Sequence, residues 1–259
     1  MFNIKYTLDP DGDIILVLLD ANSPFAVPDP GDMMPSAVKV PAGSAGWRSG
    51  AGPGTGTDDT AFLAAVTAAA ATAAANAAAR GSQFQEEDPE QNGQELYEPE
   101  VCFRLSSKHL KTASKYFRTQ LRSPWKEHID VAEDGSCIVR AEEWNEQALL
   151  IVMNIIHGRS KQVPRNLNLQ LMAQVAVIVD YYACHEATWF FHKTWVGNYI
   201  RVWYTAGYGY GRDLMLWLFV TITFYSSSWF QEAAKSVIRT STGTICAMNL
   251  PIASAIIGE

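Results

Sequence analysis

Apolar positions follow three distinct rhythms along this chain. After the turn signal Asp11-Gly12-Asp13, the run Ile14-Ile15-Leu16-Val17-Leu18-Leu19 is unbroken, which predicts a short strand buried on both faces. Val101-Cys102-Phe103-Arg104-Leu105-Ser106 alternates apolar and polar and predicts a half-exposed strand, and Cys137-Ile138-Val139-Arg140 predicts a third strand after the Gly135 turn. Ser106 or Ser107 then caps a helix in which Leu110, Ala113, Phe117 and Leu121 recur at spacings of three and four, with a break near Ser114. Asn145 opens a further helix, with Leu149, Leu150, Met153, Ile156 and His157 along one side and Gly158 as its stop. Beyond Pro164, residues 167–183 are too apolar for a surface helix and predict a central one. Residues 186–200 predict an aromatic-rich helix, and the last 59 residues two more, around 214–225 and 230–239.

Between the first two strands the pattern disappears. Of the 35 residues in 23–57, 13 are Gly or Pro, which predicts linker. Of the 20 residues in 61–80, 13 are Ala, with no amphipathic stripe, so little burial offsets an ordering cost of roughly 1–2 kcal/mol per residue. Residues 86–100 hold seven acids and no base and stay solvated. Residues 23–100 therefore read as one low-complexity, disordered insertion.

That insertion changes the meaning of the bulk charge. The chain has 259 residues and a formal charge of -7, but residues 1–100 hold 15 acids and 4 bases, while 101–259 hold 12 acids and 16 bases. The ordered part is mildly basic and the insertion is acidic. With 48% apolar and 18% charged residues, wholesale disorder and a collagen-like fibre are excluded. Cys102, Cys137, Cys184 and Cys246 lie far apart in a chain large enough to fold without staples, which predicts reduced thiols in the cytoplasm or nucleus. Neither a signal peptide nor a run of roughly 18 apolar residues is present, so no membrane segment is expected.

Chemical motifs are sparse. No C-x-x-C, H-E-x-x-H, G-x-S-x-G or G-K-[ST] ending occurs. Cys184, His185 and His192 lack metal-site spacing, and the Gly-rich stretches at 50–56 and 207–211 do not sit between a buried strand and a helix N-terminus. The expectation is a chain with no catalytic residue, no cofactor and no metal. One charged set stands out: Arg104, Lys108, Lys111, Lys115, Arg118, Arg122 and Lys126 lie three or four apart, and no acid interrupts residues 101–126. They form a basic stripe that the acidic stretch 86–100 is placed to screen; no nucleic-acid reader motif accompanies it, and nucleic acid is not an expected partner.

Several strings resemble a known family. The strand from Asp13 to Leu19, the strand from Cys102 to Leu105, Ser107-Lys108-His109-Leu110 and Ala113-Ser114-Lys115-Tyr116-Phe117 are similar to the BTB/POZ pattern, in which a D...L.V strand precedes F.v.s..L...S..F. Trp125-Lys126-Glu127, Ala148 through Arg159, Gln162-Val163-Pro164-Arg165, Val179-Asp180-Tyr181-Tyr182, Cys184-His185-Glu186-Ala187 and Arg212 through Trp217 resemble filamentous-fungal BTB-domain proteins. The resemblance covers residues 9–22 and 99–259. It implies an α+β BTB/POZ fold, a small β-sheet capped by a cluster of α-helices. Residues 1–22 would supply its first strand, 23–100 the insertion, 101–200 the remainder and 201–259 a C-terminal helical extension.

The function implied is non-catalytic protein-protein interaction, through homodimerisation, heterodimerisation or partner docking. The candidate dimer face is Leu110, Ala113 and Phe117, the same face a core would use. An alternative is a substrate adaptor on a cullin scaffold of a ubiquitin ligase: in such adaptors a hydrophobic-x-Glu element follows the second helix, and Trp125 and Glu127 stand in that position. A rigid aromatic flanked by charge suits a binding hot spot. A chromatin or nucleic-acid regulator using the basic stripe is the second alternative. Neither a Kelch array nor a MATH domain, the substrate-presenting attachments of known adaptors, is present.

Overall fold

Strand β2 (Ile14–Leu19) is the centre of a four-stranded mixed sheet, in the computed structural model, that describes residues 2–28, 100–122, 130–206, 210–241, 243, 245–253 and 256. The strand order is β1 (Ile4–Thr7), β3 (Val101–Leu105), β2, β4 (Cys137–Glu142), with β2 antiparallel to β3, and β1 parallel to β3 as β4 is to β2. Seven α-helices accompany the sheet among the described residues, so the chain is α+β. Most of the expected insertion, residues 29–99, lies outside the described residues, as do 123–129.

As its uninterrupted apolar run predicts, β2 is covered on both faces. Ile15 and Val17 cluster with Cys102 on one side, while Ile14, Leu16 and Leu18 pair in register with Leu105, Phe103 and Val101. That pairing corrects the expectation for β3: Val101, Cys102, Phe103 and Leu105 are all buried, and the strand is not half-exposed. The Cys102 face is covered because Phe2, Ile4, Leu19 and Ile138 pack against Cys102, Ile15 and Val17, and Arg104 alone reaches outward. Strand β1 was not expected from the sequence. It is a four-residue edge strand, held by the Tyr6 ring stacked on Phe103 (centroids 5.0 Å apart) and by Tyr6 and Lys5 converging on the Glu146 carboxylate.

Helices α1 (Ser107–Ala113) and α2 (Lys115–Gln120) are separated at Ser114, where the spacing had suggested a break. The fully buried Ser114 hydroxyl donates to the Tyr182 carbonyl (2.6 Å) and accepts from the Phe117 N–H (3.0 Å), so it caps α2 while tying it down. Ser106 occupies the N-cap position of α1 without a side-chain cap. Asp13 supplies it instead, accepting from the Ser107 N–H (2.7 Å) and hydroxyl (2.6 Å). Gly12, just before it, passes so close to β3 that a Cβ there would lie 2.5 Å from the Leu105 carbonyl oxygen.

Partial burial disfavours the Asp13 anion, yet the Ser107 hydroxyl and N–H outweigh it and hold the carboxyl below its ordinary value of 3.8. Asp13→Ala is expected to cost about 1 kcal/mol in a urea titration at pH 7, the usual size of a lost cap. Asp13→Asn, which keeps an acceptor, should cost less. The Asp13 contribution should be complete above pH 3.8 and disappear as pH falls through the lowered folded value.

Helix α3 (Glu146–Ile156) starts where expected, with the Asn145 side chain accepting from the Ala148 N–H (2.9 Å). It is buried nearly all round, from Ala148 to Ile156 apart from Leu150, and not along one side as its periodicity suggested. Helix α4 (Leu169–Tyr181) is apolar and buried, as expected of a central helix. Helices α5 (His185–Ala206), α6 (Arg212–Thr223) and α7 (Ser227–Thr240) complete the chain.

Two compact units divide these elements. In described residues the first takes 2–23, 100–164 and 181–188, with the sheet, α1, α2 and α3; the second takes 24–28, 165–180 and 189 onward. In the second unit Trp217, fully buried in α6, lies against Tyr199 and Trp203 of α5 at 5.0 and 5.6 Å, and His192 stacks flat on Phe224 at 4.6 Å. The expected linker begins later than residue 23. Arg212 donates to the carbonyls of Phe25 (3.0 Å) and Ala26 (3.1 Å), and Ala26 is buried, because a guanidinium can hold an otherwise structureless segment by its backbone. No helix among the described residues is long and apolar enough to cross a membrane. All four cysteines are free thiols.

Candidate interaction surface

The basic stripe divides into two parts with different work. Arg104 projects from β3 rather than from the helices. Its guanidinium donates to the Gly12 carbonyl (3.1 Å), to the Asp134 carboxylate (2.6 Å) and, more distantly, to Ser136 Oγ (3.5 Å). It is a clamp between the β1–β2 turn and the turn before β4, and these groups line a cleft of about 340 Å3 with Asp11 and Asp13. The Arg104 hydrogen bond, helped by the Ser136 N–H and hydroxyl, holds the Asp134 carboxyl down to about 2. The Arg104 cation and the Asp134 anion satisfy each other, and the Asp11 and Asp13 carboxylates leave the cleft lining acidic.

The remainder of the stripe is helical surface. Lys108, Lys115, Arg118 and Arg122 are exposed and Lys111 is half-buried. Arg118 folds back to donate to the carbonyls of Lys111 (3.0 Å) and Thr112 (3.3 Å), so one of these charges serves the end of α1. Lys126 lies outside the described residues, as do Trp125 and Glu127 of the candidate cullin contact.

The candidate dimer face is spent within the first unit. Leu110 and Phe117 are 0% exposed, and Phe117 stacks on Tyr182 at 4.7 Å; Ala113 is half-buried. A face of this kind offers a partner almost no area, because an apolar stripe at helical spacing is claimed first by the core of its own chain.

His157 and His192 are likewise absorbed by packing. His157, next to Gly158, accepts from the Ser106 N–H at Nε2 (3.0 Å) and donates from Nδ1 to the Met153 carbonyl (2.8 Å). Among the described residues no group of three His, Cys, Asp or Glu could hold a metal ion. Gly207 and Gly209 lie outside the described residues, whereas the Tyr210 hydroxyl accepts from the Cys246 N–H (2.9 Å). The Gly-rich stretch 50–56 is also outside them.

Sequence reasoning passed over the surface of α5. Its buried positions, among them His192, Trp195, Tyr199 and Trp203, face one way. Facing the other way are Glu186, Trp189, Phe190, Lys193, Gly197 and Arg201, all exposed, with Trp189 57% and Phe190 68% accessible. Lys193 Nζ stands 5.8 Å from the Trp189 ring centroid. The aromatic richness of this helix was legible, but six aromatic residues within 186–203 gave no sign of which were covered. No family model, no curated protein and no solved structure matches this chain.

Proposed function

We propose that this chain is a non-catalytic protein-protein interaction module built on a BTB/POZ domain, acting through self-association or partner docking. The observation that carries the reading is the bond between Asp13 and Ser107. The two halves of the family pattern, the D...L.V strand and the F.v.s..L...S..F segment, lie 94 positions apart, and they are joined through their own motif residues at 2.6 and 2.7 Å. The antiparallel pairing of β2 with β3, followed directly by α1 and α2, supports the same reading. Such a pairing tolerates the long intervening insertion, since the closure cost of a flexible loop grows only slowly with its length.

A cullin-adaptor role is the second reading. It draws on the end of α2 at Gln120, five positions before Trp125, which is where adaptors carry their hydrophobic-x-Glu element. Light scattering of the intact chain from about 1 to 50 μM, run beside capture on an immobilised cullin amino-terminal region, tests both. A mass that rises with concentration supports the module, and saturable capture lost in Trp125→Ala supports the adaptor. A strict monomer overturns self-association, and the absence of cullin capture overturns the adaptor role.

A further inference from the structure

We infer that the exposed face of α5 is a self-pairing surface, on which a second copy of this chain lays its own α5 antiparallel. This deepens the interaction reading above by naming the partner and the helix, and it rests on that reading. The argument starts from spacing. Glu186, Phe190, Lys193, Gly197 and Arg201 recur at intervals of four, three, four and four, so they form one line along a helix of 22 residues, about 33 Å long.

A two-fold axis passing between Lys193 and Thr194 relates positions equidistant from that point. Under it, Phe190 of each copy faces Gly197 of the other, and Glu186 faces Arg201. Shape and charge both agree. Phe190, 68% exposed, is the largest protrusion on the line, and Gly197, which carries no side chain, is its lowest point, open enough that a Cβ built there would meet nothing within 4 Å. The line ends in an acid at one extremity and a base at the other, so only the antiparallel arrangement sets opposite charges together at both ends. Trp189 widens the apolar centre. The two Lys193 side chains would flank the axis, and each is drawn back over its own Trp189 ring. A single helix face supplies less than the roughly 800 Å2 per partner of a standard complex, so the expected affinity is micromolar.

Sedimentation equilibrium of the intact chain from about 1 to 100 μM measures the pairing. Gly197→Leu adds a side chain whose Cβ meets no neighbour within 4 Å, and Phe190→Ser removes the protrusion. Each should raise the dimer dissociation constant at least tenfold without lowering the melting temperature at low concentration, and Gly197→Leu should raise that temperature, because leucine is the better helix former. Glu186→Arg and Arg201→Glu should each weaken the dimer, and the two together should restore it, an outcome that no other interface predicts. A monomer at 100 μM overturns the inference, and one that still captures a cullin leaves the interaction reading standing. A dimer indifferent to Gly197→Leu and Phe190→Ser also overturns it, placing self-association elsewhere. A monomeric chain whose α5 variants lose capture of a different protein assigns the face to that protein instead.

Discussion

Phe117→Ala is expected to destabilise the chain by about 3–5 kcal/mol, the range for truncating a fully buried aromatic. Phe117 has no exposed surface, stacks on Tyr182 at 4.7 Å and meets Tyr116 edge-on at 5.4 Å. Its N–H is also the donor that Ser114 caps, so the side chain anchors α2 at the residue where the two short helices part. A urea titration should give this loss at 1 μM and at 50 μM alike. A residue of a dimer face would behave differently: its truncation would leave the monomer intact and remove only the concentration dependence. The same residue, read from spacing as both core and dimer face, is thus separated into one role by a single comparison.

His157 should produce the second largest effect, and it should carry a pH signature. Burial opposes the imidazolium and pushes the pKa below the ordinary 6.5; the neighbouring His109 and Arg159 push the same way, while the Met153 carbonyl and Asp9 oppose it. The geometry makes the same demand, since Nε2 accepts the Ser106 N–H and cannot do so once protonated. The neutral form is therefore the one that joins the end of α3 to the start of α1. Its stabilisation is complete above pH 6.5 and shrinks as pH falls toward the depressed folded value, because the unfolded chain takes up a proton that the folded chain refuses. His157→Leu should cost about 2–3 kcal/mol at pH 7.5, the penalty for leaving the buried Ser106 N–H without an acceptor. The variant should also lose the decline in stability between pH 6.5 and 5 that denaturant titrations of the parent chain should display.

These two residues show how far the linear pattern reaches. Their burial was legible, since both lie on apolar spacings, but their roles were not. Spacing identifies a face and leaves its occupant open; Phe117 could face its own chain or another, and His157 could be packing or chemistry. The same holds for the basic residues. Arg104 continues the interval of the helical set, yet it stands on a strand and is spent on Asp134 and Gly12. Intervals of three and four mean one face only where the chain is helical throughout, and the stripe crosses from β3 into α1. On α5 the loss of information ran the other way. Six aromatics in 18 residues exceed what one buried face absorbs, and sequence offers no way to tell that Trp189 and Phe190 are the ones left outside.

The sequence by itself determined the local elements. An unbroken apolar run made β2 a doubly covered strand, Ser114 and Asn145 set helix starts through their side-chain oxygens, and the apolar density of residues 167–183 made α4 a buried helix. These follow from interactions within a few residues, where propensity and capping act. What only the tertiary structure decided is everything that joins residues distant in the chain. It covered both faces of β3 where alternation predicts one, and recruited the unpromising segment Ile4–Thr7 as an edge through Glu146. It also gave α1 its cap from a carboxylate 94 positions upstream and covered α3 nearly all round from Ala148 to Ile156. Burial and pairing are properties of the neighbours a residue acquires, and those neighbours are chosen by the whole fold.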